Sequence, residues 1–481
     1  MTSPNPALAA RDWAELHFGD AELLDRRRVE RLITIATALS LYPGRSIPQL
    51  FASRSDVKAT YRLMDREEAT PDALQAGHRN LVADEITQPG IYLLLEDTTE
   101  VAYTGRAPIP GLGPVGPKKH GQIGFHLHSV LAVRWRGIAG EAAGEDPMID
   151  VVGLADQQYH IRTPRPKDEP KTASSARIGR ERESQIWERA STRLGRVVAP
   201  GVRWVRVADA GADIYEMLRS CEDLDHGFVI RSASNRVLVE TGQGVPRKLW
   251  ETARQASAIA QFAHELRARP GQAARVARLS VSAVSVEIRS PQRPGYGRGK
   301  LPSVACTLVR VWEPQPPDGV DGLEWMLLCD GERTRAEAAL ECAQQYAKRW
   351  LIEEYHKALK SGMGAERIQM ETGERLVAAV AILSVVALQL LVLRERARVA
   401  PTAPTSESGL DEAEVEMLEA ATRRRLTSVR DVALALGRLG GHMNRPSDGL
   451  PGWQTLWRGL THLRAMVDGA RLARKRTRCG V

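Results

Sequence analysis

Two short apolar runs constrain this chain most. Ile91 to Leu95 (IYLLL) reads as a strand buried on both faces, and Trp204 to Ala208 (WVRVA) reads as a second short strand. The first runs into Glu96-Asp97-Thr98-Thr99, and the second into Asp209 and the turn Ala210-Gly211. A sheet in which two strands each present an aspartate at the C-terminal end has its ligand edge already marked, because open sheets bind their ligands there.

The neighbouring pattern extends that sheet. Further strands fit His126 to Val133 and Val151 to Leu154, with a helix around Ser184 to Arg193 and another from about Asp213. Between Phe228 and Cys329 the segments FVIRS, VARLSVSAVSVEIRS, VACTLVRVW and WMLLC are all strand-like, while Arg162 to Glu183 and Ser290 to Lys300 read as charged or Gly/Pro-rich loops. The first ninety residues are helical instead. Asp25 to Leu41 carries an apolar stripe through Val29, Leu32, Ile33, Ala36 and Leu39 and stops at Tyr42-Pro43-Gly44. Arg27, Arg28 and Arg31 lie on its polar side. A helix beginning at Ser55 or Asp56 carries Tyr61 and Arg62, and Thr70 followed by Pro71 signals another start. Such short basic and aromatic helices suit DNA docking, as they also suit any exposed helical surface. After a polar break from Pro401 to Gly409, a helical region ends in Arg471, Arg474, Lys475, Arg476 and Arg478.

At 481 residues the chain is long enough for two to four domains. Its 67 Lys and Arg exceed 59 Asp and Glu by 67 − 59 = 8, a balance that permits a polyanionic partner. Five scattered cysteines with no C-x-x-C pair point to a reducing, cytoplasmic compartment, and the N-terminus has no signal-peptide pattern. Leu376 to Leu393 is long enough to raise a membrane span, but its Ala-rich composition, Ser384 and Gln389 favour a buried central helix, with no membrane partner.

The chemistry concentrates in YAKRWLIEEYHKALK. Tyr346, Arg349, Glu353, Lys357 and Lys360 are spaced to fall within roughly 80° of one face of a regular helix. That face combines a phenol, three cations and a carboxylate. It suits a site where a carboxylate holds a divalent metal while cations grip flanking phosphates, and it equally fits a solvated face with Glu and Lys paired four apart. With Asp97 and Asp209, Glu353 completes an acidic triad of the kind that holds two Mg²⁺ ions about 3.5–4 Å apart for in-line displacement at phosphorus.

At this point the sequence resembles the DDE-type cut-and-paste transposases of bacterial insertion sequences, the group containing the transposon-five transposase. The matching segments, in family order over nearly the whole chain, are RRRVERL, YPGRSI, ATYR, LLLEDTT, HLHSVL, VADAGADIY, FVIRS, WMLL, YAKRWLIEEYHKALKSGMGAER and RLGGHM. The signature Y-x2-R-x3-E-x6-K is met by Tyr346, Arg349, Glu353 and Lys360. The resemblance implies an α/β catalytic core, an RNase H-like mixed sheet with a β-strand insertion, flanked by N-terminal and C-terminal helical domains. The boundaries it implies are 1–75 for end-DNA binding, 76–395 for the core with an insertion at about 230–330, and 396–481 for dimerisation. The family's catalytic, metal-binding residues map to Asp97, Asp209 and Glu353. Its DNA contacts map to Arg231, Trp325, Tyr346, Arg349, Lys357 and Lys360, with Arg27, Arg28, Arg31, Tyr42, Tyr61 and Arg62 as candidates in the N-terminal domain. Leu41 and Gln369 stand where the family pattern expects Lys and Arg, which bears on the recognised end sequence.

The resulting expectation is a bacterial Mg²⁺-dependent transposase, with Mn²⁺ able to substitute and two ions per active site. It binds double-stranded DNA, both transposon ends and target, as a homodimer in the synaptic complex. It cleaves through a DNA hairpin. The rival expectations are a metal-dependent nuclease of the same fold and a non-catalytic DNA-binding derivative. Trp325 is expected to stack on an extruded base, or else to pack as a core residue of its strand.

Overall fold

The computed structural model describes residues 10–42, 44–104, 109–117, 121–137, 148–163, 183–197, 199–239, 247–266, 275–291, 301–445 and 448–478. The loops expected at Arg162 to Glu183 and Ser290 to Lys300 lie mostly outside them.

Five helices open the described chain: α1 (Ala10–Phe18), α2 (Arg26–Leu41), α3 (Ile47–Leu50), α4 (Arg54–Met64) and α5 (Pro71–Ile86). Their starts follow local chemistry. The Asp25 carboxylate accepts from Arg27 N–H at 2.8 Å, the Ser53 hydroxyl accepts from Ser55 and Asp56 N–H, and the Thr70 hydroxyl accepts from Ala73 N–H, each satisfying donors that a helix leaves orphaned. The helix expected from Ser55 or Asp56 therefore begins at Arg54, because Ser53 caps it. The α2 stripe of Val29, Leu32, Ile33, Ala36 and Leu39 is buried, as its spacing requires.

The strands are β1 (Gly90–Tyr103), β2 (Gly113–Pro114), β3 (Ile123–Gly137), β4 (Met148–His160), β5 (Val202–Ala208), β6 (Gly227–Arg231), β7 (Ala260–Leu266), β8 (Arg275–Ile288), β9 (Val304–Trp312) and β10 (Glu324–Cys329). They form one mixed sheet in the order β2-β3-β1-β5-β6-β10-β9-β8-β7, with β4 also paired to β3. β1, β3 and β4 are antiparallel neighbours, whereas β1-β5 and β5-β6 are parallel. The strands between Phe228 and Cys329 add to the same sheet, since β10 pairs with β6.

Helices cover both faces. α6 (Gln185–Leu194), α7 (Tyr215–Asp223) and α8 (Leu249–Gln255) contribute Trp187, Met217, Leu218 and Leu249 to a core that includes Ala208, Phe228 and Ile230. Leu93, Leu95, Val205 and Val207 point to the opposite face and join the main core. There they meet α9 (Ala336–Ala347), α10 (Trp350–Lys357), α11 (Gly373–Val386) and α12 (Leu388–Val399). The apolar stretch Gly373–Val399 is long enough to cross a membrane, yet 83% of its most apolar window is buried within the protein. α13 (Glu412–Thr422), α14 (Val429–Leu439) and α15 (Trp453–Arg478) complete the chain.

One buried ion pair ties β1 to β5. Glu96 and Arg206 have no exposed side-chain surface, and Arg206 Nη2 donates to Glu96 Oε2 at 2.6 Å while its Nε donates to the other oxygen. Arg206 Nη1 also donates to Ser191 Oγ of α6 at 2.8 Å. Burial pushes the Glu96 carboxyl up, but Arg206 outweighs it and the net direction is down; the Arg206 guanidinium moves up correspondingly. Both partners therefore remain charged. Arg206→Met should cost about 3–5 kcal/mol in denaturant unfolding, because it leaves a buried carboxylate unpaired, whereas Glu96→Met/Arg206→Met should recover most of that loss. A single variant as stable as the wild type would show that the pair does not secure the two strands.

Candidate active site

The β1-β5 register places two carboxylates side by side. Its last pair is Glu96 with Ala208, so Asp97 and Asp209 follow at equivalent positions on adjacent strands. By strand alternation both side chains continue the rows Leu93-Leu95 and Val205-Val207, the face against which α10 packs. β1 does not stop at Asp97, as its apolar run implies. It continues to Tyr103 paired with β3 alone, and what ends at Glu96 is its ladder to β5. The carboxylates thus stand where the sheet opens. Asp97 Oδ1 accepts from Thr98 N–H, and Asp209 Oδ1 accepts from Gly211 N–H, both at 2.8 Å.

The segment carrying Glu353 is not one regular helix. α9 ends at Ala347, and the joint at Lys348 and Arg349 is made by i to i+3 bonds, including Arg349 N–H to Tyr346 O at 3.0 Å. α10 then runs into a π-helical turn, Ala358–Gly362. The common face inferred from a regular 100° step is therefore broken, since the joint overwinds the chain and the π turn underwinds it. Tyr346 is buried (5% exposed), and Arg349 turns to Glu353, Nη2 to Oε1 at 2.5 Å. Lys357 is exposed, with Nζ 4.3 Å from the Trp350 ring centroid. Lys360 Nζ lies 3.2 Å from Glu366 Oε1, which also accepts from Ala102 N–H at 3.1 Å.

Electrostatics joins what the sequence separates. Burial and then repulsion by Asp209 push the Asp97 carboxyl up to about 6, with Glu353 adding to the rise and Arg349 and Thr98 N–H opposing it. Burial raises the Tyr346 phenol as well, against Arg349 and Arg231 and with Asp209. Asp97, Asp209, Glu353, Tyr346, Arg349 and Arg231 therefore share one field. Among the described residues no three His, Cys, Asp or Glu side chains are drawn together closely enough to hold a metal as they stand, and Glu353 is engaged by Arg349. The donor set is nevertheless all hard oxygen with uncompensated negative charge at Asp97, and it fits a hard divalent cation.

An aromatic row borders this field. Trp325 on β10 is half-buried and makes edge-on contacts with Tyr346 (centroids 5.1 Å apart, planes at 63°) and with His264 on β7 (5.5 Å, 78°). Arg231, exposed at the end of β6, is paired with Leu327, two residues from Trp325. Sequence reasoning passed over His264 and also His356. His356 Nδ1 lies 3.9 Å from Asp97 Oδ2, and burial, followed by His128 and Lys360, lowers its imidazole to about 3. The available signal was the Glu-x-x-His spacing from Glu353, which puts both side chains on neighbouring positions of one helix face.

The N-terminal candidates lie on separate helices and divide by partner. Arg27 is exposed beside its cap Asp25, and Arg62 is exposed. Arg28 pairs with Glu68, Arg31 pairs with Asp56 at 2.9 Å, and the Arg375 guanidinium lies 5.2 Å from the Tyr61 ring centroid. The Tyr42 hydroxyl donates to Asp468 of α15 at 2.7 Å. Beside it, Arg464 of α15 donates to the Ser40 and Leu41 carbonyls at the end of α2.

Comparison with known families finds two matches, one at each end. Residues 10–69 match the family described as transposase DNA-binding, and residues 412–480 match the transposase Tn5 dimerisation domain. These matches bear out the resemblance read from the sequence, that of a Tn5-like transposase, and they support DNA as a ligand and a homodimer as the assembly. Neither reaches Asp97, Asp209 or Glu353.

The raised Asp97 value has a signed consequence for stability. Below about pH 4 both folded and unfolded chains hold this proton; between the ordinary 3.8 and about 6 the folded chain holds it more tightly. The contribution is thus fully present at low pH and lost as pH rises through about 6. Asp97→Asn should stabilise the metal-free protein at pH 7 by on the order of 2 kcal/mol in denaturant unfolding, and the gain should vanish near pH 4. No gain at pH 7 would show that Asp97 is not crowded by negative charge.

Proposed function

Starting from a Tn5-type DNA-binding domain and dimerisation domain on one chain, we propose that this protein is a DNA transposase. It binds transposon ends as a homodimer, cuts them by phosphoryl transfer through a DNA hairpin, and joins the freed 3′ ends to target DNA in the bacterial cytoplasm. One observation carries this reading: Asp97 and Asp209 lie at equivalent positions just past the last rung of the parallel β1-β5 ladder, on the face packed by the helix of Glu353. The strand order β4-β3-β1-β5-β6, antiparallel and then parallel, supports an RNase H-like reading of residues 76–395, with β7 to β10 as the insertion at about 230–330. On this reading residues 1–75 bind end DNA and 396–481 dimerise.

Asp97, Asp209 and Glu353 are the residues that would hold the ions. Two Mg²⁺, or Mn²⁺ in their place, would supply Lewis-acid activation of the attacking and leaving oxygens of an in-line displacement. To serve an ion Glu353 would turn from Arg349, which would leave that guanidinium to two phosphate oxygens of the substrate, a bidentate pairing of the right geometry. Lys357 and Lys360 follow Glu353 along the segment toward the flanking phosphates, and Arg231 borders the same edge. Trp325, half-buried and steadied edge-on by Tyr346 and His264, offers a stacking surface for the base that a hairpin expels. Of the N-terminal candidates, Arg27 and Arg62 are exposed and available to the end sequence, while Arg28, Arg31, Tyr42 and Tyr61 must exchange present contacts to reach DNA. A hydrolytic nuclease would share the acidic cluster but has no need to pair two ends, and the dimerisation domain favours the transposase.

In a strand-transfer assay with end-bearing DNA and Mg²⁺, Ala at Asp97, Asp209 or Glu353 should abolish cleavage and leave end binding nearly intact, since affinity rests on phosphate neutralisation elsewhere. EDTA should do the same to the wild type. Cleavage by the triple variant sinks the assignment, and cutting without joining selects the nuclease. Trp325→Ala should retain nicking and slow hairpin formation by a barrier of roughly 1–3 kcal/mol. An unchanged hairpin yield with a large fall in melting temperature would leave Trp325 a structural residue.

A further inference from the structure

The helix of Glu353 brings a second group to the acidic cluster. His356, three residues on, is 4% exposed and lies between two paired strands. Ser129 of β3 is the register partner of Asp97 of β1, so the two side chains rise from the same face side by side. His356 addresses both: Nε2 is 3.1 Å from Ser129 Oγ, and Nδ1 is 3.9 Å from Asp97 Oδ2.

A chain of hydrogen bonds decides which nitrogen carries the proton. Gln75 Nε2 donates to the Ala381 carbonyl at 2.8 Å, and a backbone carbonyl can only accept, so the orientation of this amide is set. The same Nε2 donates to Gln157 Oε1 at 2.8 Å, and the Tyr159 hydroxyl donates to that oxygen at 2.7 Å. Gln157 Nε2 is thereby left to donate to Ser129 Oγ at 3.0 Å and to the Tyr355 hydroxyl at 3.2 Å. Ser129 is fully buried, and its hydroxyl proton finds an acceptor in His356 Nε2. The opposite tautomer would strand that proton in the core. The Nδ1 of neutral His356 is then an N–H facing Asp97.

We propose that His356 is a positioning residue for Asp97, its Nδ1–H holding the carboxylate toward Asp209 and Glu353 for divalent-cation binding. Thr98 N–H donates to Oδ1, and His356 Nδ1 faces Oδ2, so each oxygen has a donor on its side and keeps a lone pair for an ion. The 3.9 Å separation exceeds a hydrogen bond, so the proposal requires the two groups to draw closer when a cation binds. Carboxylates that ligate metals are oriented by hydrogen bonds from neighbouring groups of this kind. The inference rests on reading the acidic cluster as a metal site.

The test uses the full chain bound to end-bearing DNA, with Mn²⁺ as the probe. Mn²⁺ affinity is read by electron paramagnetic resonance, alongside end binding, cleavage rate and melting temperature. His356→Ala and His356→Gln should weaken Mn²⁺ binding about 10–100-fold with end binding unchanged. Gln places its amide near the Nε2 position. His356→Asn, whose amide nitrogen can occupy the Nδ1 position, should restore affinity to within a factor of a few. Ser129→Ala, which leaves His356 in place but releases its tautomer, should weaken Mn²⁺ binding to a smaller extent. Unchanged Mn²⁺ affinity in His356→Ala overturns the proposal, as does a loss that Asn rescues no better than Gln, the pattern of a direct ligand or of a packing residue. A wild type that neither binds Mn²⁺ nor cuts end DNA would instead overturn the reading of the site itself.

Discussion

The pairing of Glu96 with Arg206 is the contact on which the candidate site depends. Two charges without solvent contact are tolerated only in the register that brings them together, and that register sets Asp97 beside Asp209. Side chains alternate along a strand, so a slip of one residue would turn Asp97 toward α6 and α7 and put Glu96 on the α10 face. The cost of burying an ion pair therefore secures an arrangement that apolar packing alone specifies less strictly, since Leu93, Leu94 and Leu95 suit either face.

The second organising feature is the irregularity of the segment from Tyr346 to Gly362. A tight joint lets Tyr346 sink against Trp325 while Arg349 turns back toward Glu353, and the π turn carries Lys360 to Glu366 near the end of β1. Helical irregularities of this type concentrate at functional sites because they re-aim side chains that a regular helix would align. Glu354, on the other side of α10, pairs with Arg394 of α12 and anchors the helix to the buried layer behind it.

The two ends of the chain meet. Asp468 and Arg464, in the segment that matches the Tn5 dimerisation domain, contact Tyr42 and the last carbonyls of α2, in the segment that matches the transposase DNA-binding family. Arg464 also pairs with Glu414 of α13 at 2.9 Å, so one guanidinium serves both the C-terminal helices and the end of α2. The regions that match separate families are thus packed as neighbours.

Much was legible from local pattern. The helix start at Asp25, the Thr70 cap, the α2 stripe, the two strands leading into Asp97 and Asp209, and the burial of Leu376 to Leu393 follow from short-range chemistry and periodicity. Asp97, Asp209, Glu353 and the segment from Tyr346 to Lys360 could be singled out too, because their residue types and order are written in the chain. What only tertiary structure decided is which groups meet. The length of β1 came from its pairing with β3, the broken helix face from packing of Tyr346, and the partners of Arg28, Arg31 and Tyr42 from segments up to 426 positions away in sequence. His356 is the clearest case. Its sequence neighbours mark it as one polar residue on a helix, and its place beside Asp97 exists only because β1 and β3 pair Asp97 with Ser129 beneath that helix. Periodicity reports the face a side chain takes, whereas partners are set by long-range register and packing, which no local window contains.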